Sequence, residues 1–271
     1  MKKYILDLKV TSVEQPHERY VLLKLTDENA PLPEMLPGQF AQIRVDGSST
    51  TFLRRPISIH FVDRERNEIW FLVQLVGDGT RQLGKLKVGD VLNVVLPLGN
   101  GFTLPGTPAY AKASVDGTDA QDILLVGGGV GAAPLLYAGA WLSQKGIRPT
   151  FLIGARSKGD LLQMPLFEQY GDVYVTTEDG SYGEKGFVTQ HSLLGQKKFG
   201  RIATCGPKPM MVSVARYARQ VGTPCEVSLE NKMACGVGAC LCCVEDTAEH
   251  GHVCVCTEGP VFNIDDLKWQ I

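Results

Sequence analysis

Cys235, Cys240, Cys243 and Cys256 stand in the order C-x4-C-x2-C, with the last cysteine following after twelve residues. That is the ligand spacing of a plant-type [2Fe–2S] cluster, and it predicts one-electron chemistry. The segment from Met233 to Glu245 also carries Gly236 and Gly238, whose missing Cβ atoms let a loop wrap tightly enough to aim backbone N–H groups at sulfur. Structural zinc is the alternative use of these thiols. Zinc sites usually pair two C-x2-C-like knuckles, however, and the second half here would be only Cys254-Val-Cys256. A Rieske centre would replace two of the cysteines by histidines; His250 and His252 lie close, but the four thiols already suffice. A disulfide framework is not expected, because a chain of 271 residues buries a full core without staples. Cys242 and Cys254 are left as small spare thiols.

A second chemical signal is Leu125-Val-Gly-Gly-Gly-Val-Gly-Ala-Ala-Pro134, which follows an apolar run and opens an apolar helical pattern. Such a turn puts backbone N–H groups and a positive helix end where a pyrophosphate would sit. Gly127, Gly129 and Ala132 fit the dinucleotide fingerprint, but no Asp or Glu occurs between Asp122 and Asp160, so the ribose-binding carboxylate of that fingerprint is missing. A Gly-rich turn with a purely structural role remains open for this segment. The third signal is Leu53-Arg-Arg-Pro-Ile-Ser-Ile59 with Gly77-Asp-Gly-Thr80. An Arg fork donates paired hydrogen bonds to a diphosphate, and a Gly-Thr turn adds N–H and hydroxyl donors; two arginines on a solvated face are the plainer reading.

Two textures along the chain must position these groups. From residue 3 to about 104, short β-rich runs are separated by Pro and Gly: Tyr4–Val10, Tyr20–Leu25, Phe40–Val45, Ile57–Val62, Ile69–Val76 and Val91–Leu96. This pattern predicts an antiparallel barrel. From Ile123 onward strands alternate with helices: Ile123–Val126, a helix over Ala132–Gln144, Thr150–Ile153, Val173–Thr176, Arg201–Thr204, a helix over Met210–Gln220 and Glu226–Leu229. That alternation predicts an α/β parallel sheet covered on both faces. The expected units are a barrel over 1–104, a linker loop over 105–121, a nucleotide-binding domain over 122–229 and a small cluster module over 230–271. A formal net charge of −2 gives no reason to expect nucleic acid or an anionic membrane as partner. The opening Met-Lys-Lys-Tyr-Ile-Leu-Asp breaks its apolar run too early for a secretory leader or a membrane span, so a cytoplasmic protein is expected.

Taken in order, Arg55-Pro-Ile-Ser58, Gly79-Thr80, Gly127-Gly-Gly-Val-Gly131 and Thr204-Cys-Gly-Pro-Lys-Pro-Met210 make the chain resemble the ferredoxin–NADP reductase superfamily over nearly its whole length. The resemblance implies that Arg55 binds the FAD pyrophosphate and Ser58 lies near flavin N5, with Pro56 and Ile57 between them. Ile57 replaces a frequent aromatic, which removes a stacking contact. It also implies that Leu72-Val73-Gln74 runs along the flavin and Gly79-Thr80 caps its phosphates. Gly127, Gly128, Gly129, Val130 and Gly131 would receive NAD(P), and Cys205-Gly206-Pro207 would approach the nicotinamide. Cys205 reads equally well as one more small buried thiol.

The tail, Met-Ala-Cys-Gly-Val-Gly-Ala-Cys-x-x-Cys-Val-Glu and then Val-Cys-Thr-Glu-Gly-Pro-Val-Phe262, is similar to that of the electron-transfer subunits of NAD-dependent (class B) dihydroorotate dehydrogenases. In that family the fourth ligand directly precedes the acidic-Gly-Pro-Val-Phe segment, which selects Cys256 over Cys254. The resemblance implies an oxidoreductase component of pyrimidine biosynthesis with FAD, [2Fe–2S] and NAD as cofactors. Electrons would come from an FMN-containing catalytic subunit, two of each chain forming a heterotetramer. The chain is too short to add the (β/α)8 barrel that a pyrimidine site would need. Another FAD/[2Fe–2S] reductase serving ferredoxin, an oxygenase or sulfur compounds is the alternative, and a metal-stabilised binding module a third. No general base is expected, since fields and access rather than proton transfer tune such a relay. Gly154-Ala-Arg156-Ser157 leaves NAD against NADP open, and Asp179 and Gly180 read as a nucleotide-domain loop or a plain turn.

Overall fold

The structure, a computed structural model, describes residues 2–113 and 122–269. The first half contains β1 (Tyr4–His17), β2 (Tyr20–Thr26), β3 (Phe40–Ile43), β4 (Arg55–Ser58), β5 (Phe61–Asp63), β6 (Glu68–Gln74), the short α1 (Asp78–Leu83) and β7 (Val91–Leu98). The strands pair antiparallel in the order β4-β3-β7-β1-β2-β6-β5. The sheet curls into a barrel, because Ile59 N–H donates to Gln39 C=O and His60 N–H donates to Trp70 C=O, both at 3.0 Å, and so join its two edges. The apolar run Ile57–Val62 is therefore two strands rather than one. Ile59 and His60 turn the chain from β3 to β6, a change of partner that apolar periodicity cannot register.

Period-2 alternation fills the barrel. In β3, Ala41 and Ile43 enter a core with Leu8, Phe71 and Val94. Phe71 is fully buried, and truncating such a ring costs about 3–5 kcal/mol. The other face of β3 is not left to solvent: Phe40 and Gln42 are buried too, 3% and 0% exposed, under the C-terminal module. Of the expected linker loop, Pro108–Ala113 forms α2, and 114–121 lie outside the described residues.

The second half comprises β8 (Ile123–Gly128), α3 (Ala133–Gln144), β9 (Thr150–Ala155), α4 (Met164–Tyr170), β10 (Asp172–Thr177), β11 (Glu184–Lys185), α5 (Leu193–Gln196), β12 (Arg201–Cys205), α6 (Lys208–Val221) and β13 (Cys225–Ser228). These strands lie parallel in the order β11-β10-β9-β8-β12-β13. Burial on both faces follows from β8 itself. Ile123 and Leu125 pack with Leu135 and Leu142 of α3, whereas Leu124 and Val126 pack with Val214 and Ala218 of α6. Helix α6 starts at a Pro207–Pro209 entry and stops at Gly222, whose φ of +69° ends the helix without a Cβ clash.

The tail adds β14 (Val244–Thr247), β15 (Gly251–Cys254), α7 (Val255–Glu258) and β16 (Val261–Asn263). Strands β14 and β15 form a hairpin, while β16 runs antiparallel beside β13 and completes the second sheet. Cys243, Val255 and Cys256 share a buried cluster with Phe40 and Leu98 of the barrel and Phe262 of β16. The cysteine segment is thus wedged between barrel and sheet. No helix among the described residues is long and apolar enough to cross a membrane.

Candidate functional site

Strand order reverses between β8 and β12, and at such a switch point the carboxyl ends of open α/β sheets leave a crevice. Both glycine motifs sit there. A Cβ on Gly131 would lie 2.4 Å from Gly206 Cα and 2.5 Å from Cys205 O, so the two loops touch backbone to backbone. Gly128 packs as closely on Met210, and Gly206, at φ +157°, holds a conformation that glycine favours. Gly129, Val130, Gly206 and Pro207 line a cleft of about 600 Å³ that continues past Gln74 and Tyr20 of the barrel. Cys205 is buried at the end of β12; burial, then the Glu230 carboxylate, pushes its thiol far above the usual range. Glu230 opens onto the same cleft, and the protein packed around it raises its pKa.

The far end of the cleft carries charges of both signs: Arg156, Asp160 and Glu178, with Arg19 of the barrel paired to Asp160 across the opening. Asp179 closes a local turn by accepting from Ser181 N–H at 2.9 Å and from its hydroxyl at 2.6 Å, with Gly180 at φ +78°. That is the plain-turn geometry of the two readings of this pair.

On the barrel, β6 alternates across its faces. Val73 enters the barrel core, Leu72 joins Tyr20, Leu22 and Ala133 in the seam between the two halves, and Gln74 faces the cleft. The two arginines of β4 and its approach part company. Arg54 is spent inside the barrel wall, donating to Asn93 C=O at 3.0 Å and to the Asn93 side chain, and burial lowers its pKa. Arg55 stays partly exposed beside Gly79, where a Cβ would meet its Nε at 2.6 Å and Thr51 Cγ2 at 3.1 Å. Thr51 is 6% exposed and its hydroxyl has no partner among the described residues. A glycine that admits a guanidinium, beside an orphaned hydroxyl, fits a diphosphate. The Thr80 hydroxyl is used internally: it accepts from Val76 and Gly77 N–H at 3.0 Å and donates to Gly77 C=O at 3.1 Å. Pro56, Ile57 and Ser58 follow along β4 half-buried, with Ile57 packed on the barrel core.

Around the cysteines, Gly236 and Gly238 adopt φ of +70° and +83°, which turns main-chain N–H groups inward. Val237 N–H donates to Cys235 Sγ at 3.4 Å, Gly238 N–H to Cys256 Sγ at 3.2 Å, and Cys256 N–H to Cys243 Sγ at 3.4 Å. The Val237 donor, helped by Cys240, draws the Cys235 thiol down to about 6. Burial, with Cys243 beside it, pushes Cys256 up to about 12. Cys254 faces the opposite way: its thiol donates to Gly238 C=O at 3.9 Å. An amide donor favours thiolate and a carbonyl acceptor favours thiol, so these two contacts separate Cys256 from Cys254 in the direction expected of a ligand, although burial raises both thiols. A two-iron cluster takes two thiolates at each iron, and Cys235, Cys240, Cys243 and Cys256 offer four, three of them under main-chain donors. The donor set fits it.

Thr51, Arg19 and Asp160 were not singled out by the sequence reading. The pair at 19 and 160 had no local signal, being 141 positions apart. Thr51 had one weak signal, its place just ahead of the Arg-Arg-Pro run.

Residues 230–268 match the model of the iron–sulfur cluster binding domain of dihydroorotate dehydrogenase B. The dihydroorotate dehydrogenase B (NAD(+)) electron transfer subunit of Shouchella clausii is 40% identical over 235 residues, covering 85% of this chain and 86% of that protein. The subunit of the same name from Fusobacterium nucleatum is 36% identical over 237 residues, 86% of each chain. Among solved structures, the NADH-dependent reduced ferredoxin–NADP oxidoreductase, described in connection with flavin-based electron bifurcation, superposes with a TM-score of 0.81 at 29% identity, covering 97% of this chain and 90% of that one. A ferredoxin reductase of carbazole 1,9a-dioxygenase shares the fold at TM-score 0.65 and 21% identity. A flavin-reductase barrel, a nucleotide sheet with its glycine loops at the switch point and a matching cysteine tail converge on one assignment: the chain belongs to the family of dihydroorotate dehydrogenase B electron transfer subunits.

Proposed function

We propose that this chain is the electron transfer subunit of an NAD+-dependent dihydroorotate dehydrogenase in the cytoplasm. It would pass electrons from the FMN of a catalytic partner, two copies of each chain assembling, to NAD+. The observation that carries this reading is the relatives' match over 85% of the chain together with a cysteine loop in which main-chain N–H groups donate to three of the four thiols, Cys235, Cys243 and Cys256. The cluster supplies one-electron transfer, the flavin exchanges one or two electrons, and NAD+ accepts a hydride.

The protein's share is placement and field. Cys235, Cys240, Cys243 and Cys256 hold the cluster. Arg55 anchors the FAD diphosphate, with Thr51 and Gly79 shaping the space beside it. Ser58 and Gln74 border the flavin, and the backbone of Gly127 to Gly131 with Cys205-Gly206-Pro207 cradles the nucleotide. Asp160 and Glu178 share the far end of the cleft with Arg156 and with Arg19, which pairs with Asp160, so the charges there balance and the choice of NAD+ follows the relatives. Proton transfer by a side chain is not required.

Co-expression with the FMN-containing subunit tests the proposal. The two chains should co-purify at equal stoichiometry, and dihydroorotate oxidation should reduce NAD+ only when this chain is present. Failure of both refutes it. The likeness to the NADH-dependent ferredoxin–NADP oxidoreductase favours one second reading, a reductase subunit serving ferredoxin. NADH-driven ferredoxin reduction by a complex that ignores dihydroorotate would establish that reading instead.

A further inference from the structure

Gln42 is 0% exposed, yet neither its side-chain N nor its side-chain O has a hydrogen-bond partner among the described residues. A buried amide left unpaired is destabilising, so its position asks for a partner outside the chain. Strand alternation turns Gln42 away from the barrel core, on the face where Phe40 packs with Cys243, Val255 and Cys256. Gly236, next to Cys235, gives it room: a Cβ there would lie 2.6 Å from Gln42 Cγ and 3.0 Å from its Nε2. The amide therefore ends against the cysteine loop, inside an otherwise apolar seam. The same residue pairs in register with Pro56, beside Arg55, and its carbonyl accepts from Arg54 at 3.3 Å.

We infer that Gln42 is a positioning residue of the relay: its amide N–H donates to a sulfur of the [2Fe–2S] centre, fixing the Cys235 loop on the barrel strand next to the flavin site and raising the cluster's potential. The inference rests on the cluster reading given above. A centre held by four thiolates is anionic and becomes more so on reduction, so a donor to sulfur stabilises the reduced form more. The oxygen of the amide would face an anion and is excluded from that contact. Gly236 is then glycine for two reasons, its positive φ and the passage of this side chain.

The test is Gln42→Met in the FAD- and cluster-loaded chain, since methionine keeps length and loses the donor. The cluster should be retained with its midpoint potential shifted negative and its EPR g-values changed. Thermal stability of the apoprotein should hold or rise, because an unpaired amide has been replaced by an apolar group. Unchanged potential and g-values would overturn the inference and leave Gln42 a packing residue. Should the variant not fold, the parent protein labelled with 15N at the glutamine side chains provides the second measurement. A side-chain 15N hyperfine coupling to the reduced cluster that a Gln42→Asn variant lacks supports the inference, and no coupling in the parent overturns it. A parent chain without any [2Fe–2S] signal refutes the cluster reading itself, a result distinct from an intact signal that ignores position 42.

Discussion

Replacing Gly131 by alanine adds a methyl group at a point where the structure offers only main chain: Gly206 Cα at 2.4 Å, Cys205 O at 2.5 Å and Gly206 N at 2.5 Å. None of these is the far end of a flexible side chain, so the strain cannot be relieved by a rotamer. Carbon atoms settle near about 3.5 Å or more, which means the two loops must separate by roughly 1 Å. Overpacking of this kind costs about 1–3 kcal/mol in stability. The larger effect is expected on the proposed nucleotide site, because Gly128 to Gly131 and Gly206-Pro207 line the same cleft and meet there backbone to backbone. A phosphate hydrogen bond lengthened by about 1 Å is beyond bonding range. Losing one charge-assisted bond, worth about 1.5–3 kcal/mol, weakens NADH binding by about 10- to 100-fold. Calorimetric titration of NADH into the FAD-loaded protein measures this, with flavin absorbance reporting the barrel site independently. Gly195→Ala is the control, since nothing lies within 4 Å of a Cβ at that position of α5. Gly131→Ala should lose affinity while keeping FAD, and Gly195→Ala should lose neither. NADH affinity within about twofold of the parent, less than about 0.5 kcal/mol, would refute the assignment of this backbone contact to the nucleotide cradle.

Three further outcomes are expected. Cys240→Ser and Cys256→Ser should each abolish the visible absorbance and EPR signal of the cluster while Cys254→Ser keeps both, so a cluster surviving in Cys256→Ser would reassign the fourth ligand. Arg55→Ala should weaken FAD retention by about 10- to 100-fold, from about 1.5–3 kcal/mol of diphosphate contact, and gel filtration with flavin quantification would show equal occupancy if the reasoning fails. His60 is fully buried between Ala133 C=O at 2.8 Å and Gln163 Oε1 at 2.7 Å, and burial lowers its pKa. A lowered folded pKa means the unfolded chain takes up the proton first. Its contribution to stability is therefore complete above the unfolded value near about 6.5 and is lost as pH falls below it, by at most about 1.4 kcal/mol per pH unit. Urea unfolding at neutral and mildly acidic pH should show a steeper loss in the parent than in His60→Gln, and parallel pH profiles would remove His60 from this role.

The texture of the chain made its architecture readable. Ile123 to Val126 is apolar at every position, which predicted a strand covered on both sides, and its residues divide alternately between α3 and α6. Glycine clusters marked the places where backbone meets backbone. What stayed hidden depended on which surfaces come to face each other. Gln42 follows the alternation of an ordinary half-exposed strand, and only the cysteine module folding over that face buries it. Arg54 and Arg55 are indistinguishable as neighbours in sequence, yet Asn93 on β7 captures the first and leaves the second beside Gly79. The break at Ile59 and His60 was invisible because both sides of it are apolar.

Strand β16 gives the cysteine module an unusual kind of attachment. Its three residues pair with Glu226, Val227 and Ser228, and Pro260 bridges to Asn100 at the end of the barrel. A cut after residue 229 would look clean in sequence, yet it would strip the cover from β13 and bare an apolar sheet edge, the kind of surface that recruits a second chain. Chimaeras that exchange iron–sulfur modules between relatives would therefore have to carry β16 with the cysteines. Inherited in that way, an electron carrier and the last strand of a nucleotide fold travel as one cassette.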